Sequence, residues 1–279
     1  MTQAALPPRS ISTVIIAQNE EECIANAIQS CLPFADEIVV VDGGSQDATV
    51  QISENLGCQV YANPWPGYSK QRNFGADQAK HDWIFFLDAD EVVDTELASA
   101  ILAWKTSSGP TTKALSVNRV GDLFGQWLDG RAEAHVRLYD KTQFRIKDVL
   151  VHEGPDVKDA PVTLLPGTLW HQGFRDMSDL IIRFNRYTDL DANQAHLLGK
   201  KFNLIRLLLK PPAKFLQQYL WYGMYRQGLA GFTLASLWSY YIFLKEIKLY
   251  EIDWRAKGKT QPEQKKFGLA VTPTHQVQI

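Results

Sequence analysis

The sequence predicts an α/β protein in which a Rossmann-like sheet carries helices on both faces and is followed by a helical C-terminal region. Short apolar runs alternate with helical patterns through the first hundred residues, an order typical of a parallel sheet with crossover helices. The run at residues 83–87 is apolar throughout, as strands buried on both faces are. After residue 200 the chain becomes basic and rich in aromatic residues, which predicts a separate region.

The elements follow from these patterns in chain order. Four strands are expected first, at residues 12–17, 37–42, 58–62 and 83–88. Helices are expected between them, at residues 20–31, 47–56 and 69–79. Shorter strands are then predicted at residues 114–119, 135–139, 144–147 and 162–165, and a long helix at residues 178–198. This order predicts function at the carboxyl ends of the first strands.

Charge divides the chain. Residues 1–199 hold 16 Lys/Arg against 27 Asp/Glu, giving −11, whereas residues 200–279 hold 13 against 4, giving +9. We expect a catalytic domain over residues 1–199, a basic and aromatic helical region over residues 200–257, and a polar tail over residues 258–279. Residues 1–10 lack the apolar segment of a signal peptide, and the three cysteines lack metal-ligand spacing, so a cytoplasmic setting is expected.

Two carboxylates, Asp88 and Asp90, follow the fourth predicted strand. Buried carboxylates are costly unless they are paired or bound to a metal. An Asp-x-Asp motif at a sheet edge can hold a hard divalent cation, Mg or Mn, whose shell is completed by water and phosphate oxygens. The motif therefore predicts a substrate that carries phosphate.

Polar residues also follow the first two strands. They are Gln18, Asn19 and Glu20, and then Asp42, Gly43, Gly44 and Ser45. Glycine lets the backbone approach a ligand closely, and Asp42 could accept hydrogen bonds from a base or a ribose. An ordinary strand–turn–helix junction is the alternative interpretation of residues 43–45. The sequence has neither G-x-G-x-x-G nor G-x-x-x-x-G-K-[ST], so nicotinamide and P-loop interpretations lose their main support.

Four sequence motifs of the chain resemble those of a known protein family. They are Val-Ile-Ile-Ala-Gln-Asn-Glu-Glu, Glu-Ile-Val-Val-Val-Asp-Gly-Gly-Ser-Gln-Asp-Ala-Thr, Lys-Gln-Arg-Asn-Phe-Gly and Phe-Leu-Asp-Ala-Asp-Glu, in that order. Together they resemble family 2 glycosyltransferases of the GT-A fold, in particular the bacterial lipopolysaccharide-core glucosyltransferase-like branch. The resemblance is strong over residues 11–95 and extends through residue 190.

The resemblance implies roles for single residues. Asn19 and Glu20, next to Gln18, match the first nucleotide-contacting turn, and Asp42 matches the carboxylate that reads the uracil or ribose. Gly44 and Ser45 belong to the same nucleotide-sugar site. Arg72 and Asn73 match the Arg-Asn pair that lines the pocket, although a solvated helix face is the alternative for Arg72. Asp88 and Asp90 match the acidic motif that holds ribose and metal.

Inverting sugar transfer needs a base that takes the proton of the acceptor hydroxyl. Glu153 is the candidate, because the resembled branch carries a His-Glu at this point; a surface Glu before Gly154 is the alternative interpretation. More distant family 2 enzymes have an Asp there. Glu133 and Asp129 are rival bases. His152 is expected to support the site structurally.

Two further residues are candidates. His171 could be a metal ligand beside Asp88 and Asp90, since imidazole suits Mn, or an ordinary packed histidine. Arg137 could face the diphosphate or the acceptor, or be an exposed strand residue. The Gln-x-x-Arg-Trp of processive synthases has one near match, at residues 172–176, which lacks the Trp. Transfer of one sugar per encounter is therefore expected.

The C-terminal region suits a membrane surface. Residues 200–257 hold ten Lys/Arg against three acids, and twelve aromatic residues fall between Phe215 and Trp254. Such mixtures are typical of helices in the headgroup region. Residues 227–244 are uncharged, but the stretch is short for a bilayer span, which needs ~20 predominantly apolar residues, and it contains glycine and polar residues. A core or dimer surface is the other alternative. Pro211-Pro212 is expected to break the helical pattern.

The sequence therefore predicts an inverting, metal-dependent glycosyltransferase at the inner face of the plasma membrane. The donor would be a nucleotide-sugar such as UDP-glucose, and the acceptor a lipid-linked or envelope glycan such as lipopolysaccharide core; no nucleic-acid partner is expected. A sugar-phosphate nucleotidylyltransferase is one alternative, but it should carry a Gly-rich, Arg-containing loop after the first strand. A non-catalytic, membrane-docked module that binds nucleotide-sugars is the other.

Overall fold

The computed structural model describes residues 9–107, 112–128, 133–149, 154–158, 160–173 and 176–257. Within these ranges nine strands form one sheet. They are β1 (Ile11–Ala17), β2 (Glu37–Asp42), β3 (Gln59–Ala62), β4 (Trp83–Asp88), β5 (Glu91–Val93), β6 (Ala114–Leu123), β7 (Gln126–Trp127), β8 (Glu133–Asp140) and β9 (Val162–His171). The strand order is β3-β2-β1-β4-β8-β6-β9-β5, and β7 pairs with β6.

The first four strands are parallel, as the alternating pattern predicts. β1 pairs with β2 and β4, and β3 pairs with β2. β8 then runs antiparallel between β4 and β6, and β5 runs antiparallel to β9. The predicted α/β class with a Rossmann-like sheet is confirmed, and the sheet is mixed beyond β4.

Seven α-helices lie in the described ranges: α1 (Ile24–Cys31), α2 (Thr49–Asn55), α3 (Tyr68–Gln78), α4 (Thr95–Thr106), α5 (Met177–Leu197), α6 (Leu204–Leu216) and α7 (Gly228–Ala256). Side chains of α1 and α4 join one core cluster against the sheet, and α3 joins a second cluster with the other strand faces. The helices therefore cover both faces, as predicted. Gly75 of α3 lies so close to the sheet that an added Cβ would be 2.8 Å from Val41 Cγ2.

Several elements differ from the predictions. The strand predicted at residues 144–147 is wrong, because the structure has only an isolated bridge between Ile146 and Pro155 there. β5 and α4 were not predicted. The carboxylate of Asp94 caps α4 by accepting a hydrogen bond from Leu97 N at 2.7 Å, and N-cap acceptors of this kind start helices.

The C-terminal helices form a layer in which α7 packs between α5 and α6. Tyr241 of α7 donates to Asp191 of α5 at 2.8 Å. On the other side of α7, the Ser239 hydroxyl donates to the carbonyl of Pro211 at 2.8 Å. The predicted break at Pro211-Pro212 is wrong, because α6 runs through both prolines. Of the helices in the described ranges, none is both long and apolar enough to cross a bilayer.

Candidate active site

The loops after β1 and β2 are tied together at the carboxyl edge of the sheet. Asn19 adopts the left-handed conformation, with φ of 58°, which asparagine tolerates better than most residues. Its backbone N donates to Ser45 Oγ at 2.9 Å, and its side-chain oxygen accepts from Gln46 N at 2.8 Å. Gln18 Nε2 donates to the carbonyl of Gly43 at 3.2 Å, and the backbone N of Glu20 donates to Thr49 Oγ1 at 2.8 Å. These hydrogen bonds hold the loops after β1 and β2 to each other, and the two loops together are called here the double loop.

Asp42 holds the turn that follows it. Its carboxylate is almost buried and accepts hydrogen bonds from Gly44 N at 2.9 Å and from Ser45 N at 3.1 Å. Gly44 has φ of 102°, a conformation that glycine adopts at little cost. An ionised carboxylate has room for about four hydrogen bonds, so the turn leaves capacity for a ligand.

Asp42 and Asp88 flank the end of β1. Asp42 pairs with Ala17 in the β1–β2 register, and Asp88 pairs with Ile16 in the β1–β4 register. The parallel strands therefore bring the Asp-x-Asp motif and the double loop to one edge, where ligands bind in open α/β sheets.

Two arginines meet Asp88. Arg72 of α3 donates from Nη2 to Asp88 Oδ1 at 2.5 Å. Nη1 of Arg137, on β8, lies 3.8 Å from Asp88 Oδ2. Both guanidinium groups also lie over the ring of Phe86, at 5.1 and 4.6 Å from its centroid. Both side chains are almost buried. Arg72 is thus buried beside Asp88 rather than on a solvated face, and Arg137 is not an exposed strand residue.

The electrostatics of this cluster favour the ionised carboxylate. Burial alone would raise the pKa of Asp88, but the charges of Arg72 and Arg137 outweigh burial and hold that pKa well below its ordinary value. Burial lowers the pKa of Arg137 from its ordinary value, and the charges of Glu91 and Asp88 oppose that effect. Asp88 is therefore the counter-ion of an arginine pair.

Glu91 is a site residue that the sequence analysis missed. Its side chain is fully buried. Oε1 accepts from Arg119 Nε and from Arg137 Nη2, each at 2.6 Å, and Oε2 accepts from Asp88 N at 3.1 Å. One carboxylate thus orients two arginines and the turn of the acidic motif. Its place directly after Asp90 in Asp-Ala-Asp-Glu is the signal that could have identified it.

Asp90 faces a different set of groups from Asp88. His171 Nε2 lies 3.3 Å from Asp90 Oδ2, and Arg183 Nη1 lies 3.9 Å from the same oxygen. The antiparallel pairing of β5 with β9 brings His171 to this point. Gly173 leaves room for the imidazole, because a Cβ there would be 2.5 Å from His171 Cε1.

These donors allow a test of the predicted cation site. Within the described residues, no three His, Cys, Asp or Glu side chains form a ready-made cage. Asp90 and His171 nevertheless supply a carboxylate oxygen and an imidazole nitrogen, a donor pair that suits Mn. Both side chains are partly exposed, so substrate phosphate oxygens and water could complete the shell. The Asp90–His171 pair fits a cation, whereas Asp88 is engaged by arginines.

Asn73 lies beside Arg72 but has a structural partner. Its side-chain amide donates to the carbonyl of Ile146 at 2.9 Å and accepts from Ile146 N at 3.1 Å. Ser69 Oγ donates to the carbonyl of Val149 at 2.8 Å. Helix α3 therefore clamps the segment over residues 146–149, which leads toward the predicted base.

The predicted bases lie mostly outside the described part of the chain. Glu153, His152 and Asp129 are not among the described residues, and only the backbone of Glu133, at the start of β8, is described.

Helix α5 closes one side of the site. Arg183 is held by Asp179, whose Oδ1 accepts from Arg183 Nε at 3.0 Å. The hydroxyl groups of Tyr187 and Tyr68 lie 3.3 Å apart, which links α5 to α3 beside Arg72. The sequence analysis gave these α5 residues no role. Their link to the site depends on contacts across the fold.

The arginine-rich sheet edge is a surface that suits phosphate oxygens, since guanidinium groups bind them well. Residues 12–154 match the model of the family described as Glycosyl transferase family 2. The chain belongs to this family and is a glycosyltransferase.

Relatives span most of the chain. It is 29% identical to the lipopolysaccharide core biosynthesis glycosyltransferase LpsC of Rhizobium meliloti, over 88% of this chain and 94% of that protein. It is 30% identical to an uncharacterized glycosyltransferase of Rickettsia typhi, over 90% of each. Among solved structures, a complex of glucosyl-3-phosphoglycerate synthase from Mycobacterium tuberculosis with Mn²⁺, uridine diphosphate and glucosyl-3-phosphoglycerate overlaps 40% of this chain and 44% of that chain. Its identity is 24% and its TM-score is 0.34. This partial overlap carries no information on substrates.

Proposed function

We propose that the protein transfers one hexose, glucose in the first instance, from a UDP-sugar to a lipid-linked or envelope glycan with inversion at the anomeric carbon. The proposal rests on the observation that the two aspartates of the acidic motif contact different groups at the sheet edge. Asp88 sits between Arg72 and Arg137, while Asp90 faces His171 and Arg183. Positive side chains and a separate candidate cation site therefore lie together, as the departure of a diphosphate requires.

The donor site we propose combines the two loops with this cluster. Asp42 and the turn at Gly44 and Ser45 would hold the nucleoside, next to Gln18, Asn19 and Glu20. Arg72 and Arg137 would face the diphosphate, because their planar guanidinium groups can bind two oxygens at once. Asn73 would support this wall through its clamp on Ile146.

A divalent cation, Mg or Mn, would be held by Asp90 and His171, with Asp88 close by. Such an ion neutralises the negative charge that develops on a leaving diphosphate. Two further side chains would assist the binding of the diphosphate. Arg183 lies where it can contact the same phosphates, and Glu91 keeps Arg119 and Arg137 in position.

Glu153 would act as the base that removes the proton of the acceptor hydroxyl. The support is the resemblance together with the clamp of α3 on residues 146–149, since this clamp fixes the chain just ahead of Glu153. Glu133 and Asp129 remain the rivals.

We further propose that the protein works at the inner face of the plasma membrane. The support is the likeness to LpsC, named for lipopolysaccharide core biosynthesis, and the charge of the chain. The −11 of residues 1–199 contrasts with the +9 of residues 200–279, and anionic lipids attract basic surfaces.

The direct experiment measures transfer from a panel of nucleotide-sugars to a bacterial lipid extract, with and without Mn²⁺, Mg²⁺ or EDTA. UDP-glucose with a cation should give transfer and release UDP. Asp90→Asn should lower kcat by about 100-fold or more while the fold, checked by circular dichroism, is kept. Glu96→Asn, on the exposed first turn of α4, is the control and should have wild-type activity. Transfer that is unaffected by EDTA would contradict the cation.

The base is tested by Glu153→Gln. Glutamine keeps the size of the side chain but cannot accept the proton, so kcat should fall by roughly 10²–10⁴-fold. The dissociation constant of UDP, measured by calorimetry, should stay near that of the wild type. Activity within a few-fold of wild type would move the role to Glu133 or Asp129, whose amide variants complete the set. A protein that binds UDP-sugars but transfers nothing would instead be a binding module.

A further inference from the structure

Helix α6 and the turns after it expose several large apolar side chains. Leu208, Leu209 and Trp221 are 62%, 63% and 77% exposed. The set, called here the apolar ridge, consists of Leu204, Ile205, Leu208, Leu209, Leu216 and Trp221. The first four follow an i, i+1, i+4, i+5 pattern, which places them on one face of the helix. Large exposed apolar patches mark interaction surfaces.

The opposite side of α6 is already used. Arg206 Nε lies 3.1 Å from Glu246 Oε1, and Ser239 of α7 donates to the carbonyl of Pro211. The ring of Phe202 packs edge-on against Tyr250, at 4.9 Å between centroids. These contacts fix the rotation of α6 on α7, so the ridge points away from the helical layer.

The charges around the ridge identify its occupant. Lys200, which precedes α6, and Lys210, which follows Leu209 in the chain, are exposed, and residues 200–257 as a whole hold ten Lys/Arg against three acids. A second copy of the same basic surface would be repelled, whereas a lipid surface with anionic headgroups is complementary. Leucine with lysine and an exposed tryptophan is also the side-chain set of helices that lie in the plane of a bilayer.

We propose that the apolar ridge inserts into the headgroup region of an anionic bilayer, with α6 parallel to the membrane plane. The length of α6, 13 residues, suits this arrangement and is too short for a span. Insertion would bury the ridge, while the long side chains of the exposed lysines would let their charged ends reach the lipid phosphates.

The position of the ridge relative to the candidate site gives a reason why docking on the membrane would help catalysis. This step rests on the proposed function. The start of α7 packs Ala230 against Leu123 and Leu128, and Gln126 Nε2 donates to Gln227 Oε1 at 2.7 Å. α7 also packs along α5, the helix that brings Arg183 to Asp90. Docking through α6 would therefore fix the catalytic edge relative to the membrane that holds the acceptor.

Vesicle flotation of the full-length protein tests the proposal. The vesicles contain phosphatidylcholine and phosphatidylglycerol at 3:1, or phosphatidylcholine alone. The ridge variant carries Ile205→Gln, Leu208→Gln and Leu209→Gln, and all three wild-type side chains are exposed. The matched control carries Leu32→Gln, Leu102→Gln and Leu164→Gln, at exposed apolar positions of the catalytic half.

The ridge variant should lose at least about 10-fold in affinity for the anionic vesicles, because less apolar surface is buried. The control variant should bind like the wild type. Trp221 adds a second readout: vesicles should shift the tryptophan emission of the wild type to the blue, and Trp221→Phe should remove most of that shift. Salt at 0.5 M should release only part of the bound wild type.

Two results would overturn the proposal. One is equal flotation of the ridge variant and the wild type. The other is a wild-type dimer in light scattering that the ridge variant converts to a monomer while neither binds vesicles, since the ridge would then be a dimer surface. Calorimetry of UDP binding by the same proteins separates the two proposals. Failure of the wild type to bind UDP argues against the donor site and leaves the flotation result unaffected.

Discussion

Glu91 shows how much of the site depends on one buried charge. Its own side chain is fully buried, and it compensates two guanidinium groups, that of Arg137, which is almost buried, and that of Arg119, which is 29% exposed. Buried ion pairs contribute little relative to apolar residues of the same size, but removal of one partner leaves an uncompensated charge that is strongly destabilising. An exposed pair behaves differently, because water solvates whichever charge remains.

We therefore expect Glu91→Gln to lower the free energy of unfolding by about 3 kcal/mol or more. The matched control is Asp77→Asn, which removes an ion pair with Arg145 whose side chains are both 52% exposed and should cost less than about 1 kcal/mol. Urea unfolding followed by circular dichroism measures both. Similar small losses in the two variants would show that the cluster tolerates the missing charge.

Candidate residues could be named in advance where a motif contains them. The Asp-x-Asp motif points to Asp88 and Asp90, and the resemblance points to Arg72; the structure brings the three side chains to one edge of the sheet. Their separate surroundings were not predictable, because spacing alone does not show that arginines engage Asp88 while His171 faces Asp90. Glu91 acquires its contacts from β6 and β8, and Arg183 of α5 reaches Asp90 across the fold; such long-range contacts leave no local pattern in the sequence.

At the scale of elements, the close approach of α3 to the sheet has a specific cause in Gly75. An added Cβ at this position would meet Val14 Cγ1 and lie 2.8 Å from Val41 Cγ2. Gly75→Ala should therefore destabilise the protein by about 1–3 kcal/mol through overpacking, although alanine favours a helix interior by about 1 kcal/mol.

A double-mutant cycle checks the cause. Val14→Ala removes the methyl groups that the added methyl group of Gly75→Ala would meet, so the double variant should be more stable than the sum of the single losses by about 1 kcal/mol. Strictly additive losses would place the strain elsewhere. The measurement is the urea midpoint of the four proteins.

Alternation of apolar runs with helical patterns predicted β1 to β4 and their helices well, because strands such as β1 and β2 are buried at every residue and a helix such as α1 buries one face. Prediction was weaker where the sheet becomes mixed. β5 has only three residues and depends on β9 for its pairing, so it carries little signal of its own. The local pattern did not predict that α6 continues through Pro211 and Pro212, and its contacts with α7, such as the hydrogen bond from Ser239 to the carbonyl of Pro211, join residues far apart in the sequence.

For the whole molecule, sequence composition predicted an acidic part and a basic part, and the structure shows how they are joined. α7 lies between α5, which reaches the site, and α6, which carries the apolar ridge. The sequence could not show which basic side chains are available for lipid. Arg206 is committed to Glu246, and Lys201 Nζ lies 3.5 Å from Asp253, whereas Lys200 and Lys210 are exposed.

This distinction gives the last prediction. Lys200→Gln with Lys210→Gln should weaken binding to phosphatidylglycerol-containing vesicles by about 10-fold or more at low salt, since each lysine near an anionic surface contributes about 1 kcal/mol. The difference from wild type should shrink at 0.5 M salt, where charges are screened within a few ångströms. Binding to neutral vesicles should hardly change, because the ridge is intact.

The matched control is Lys147→Gln with Lys158→Gln, which removes the same charge from side chains that are 51% and 78% exposed in the catalytic half. It should bind vesicles like the wild type. An equal loss in both pairs would mean that net charge, rather than the position of α6, governs attraction to the membrane. Arg206 is left intact in the test, because its removal would strand the almost buried carboxylate of Glu246 and destabilise the helical layer itself.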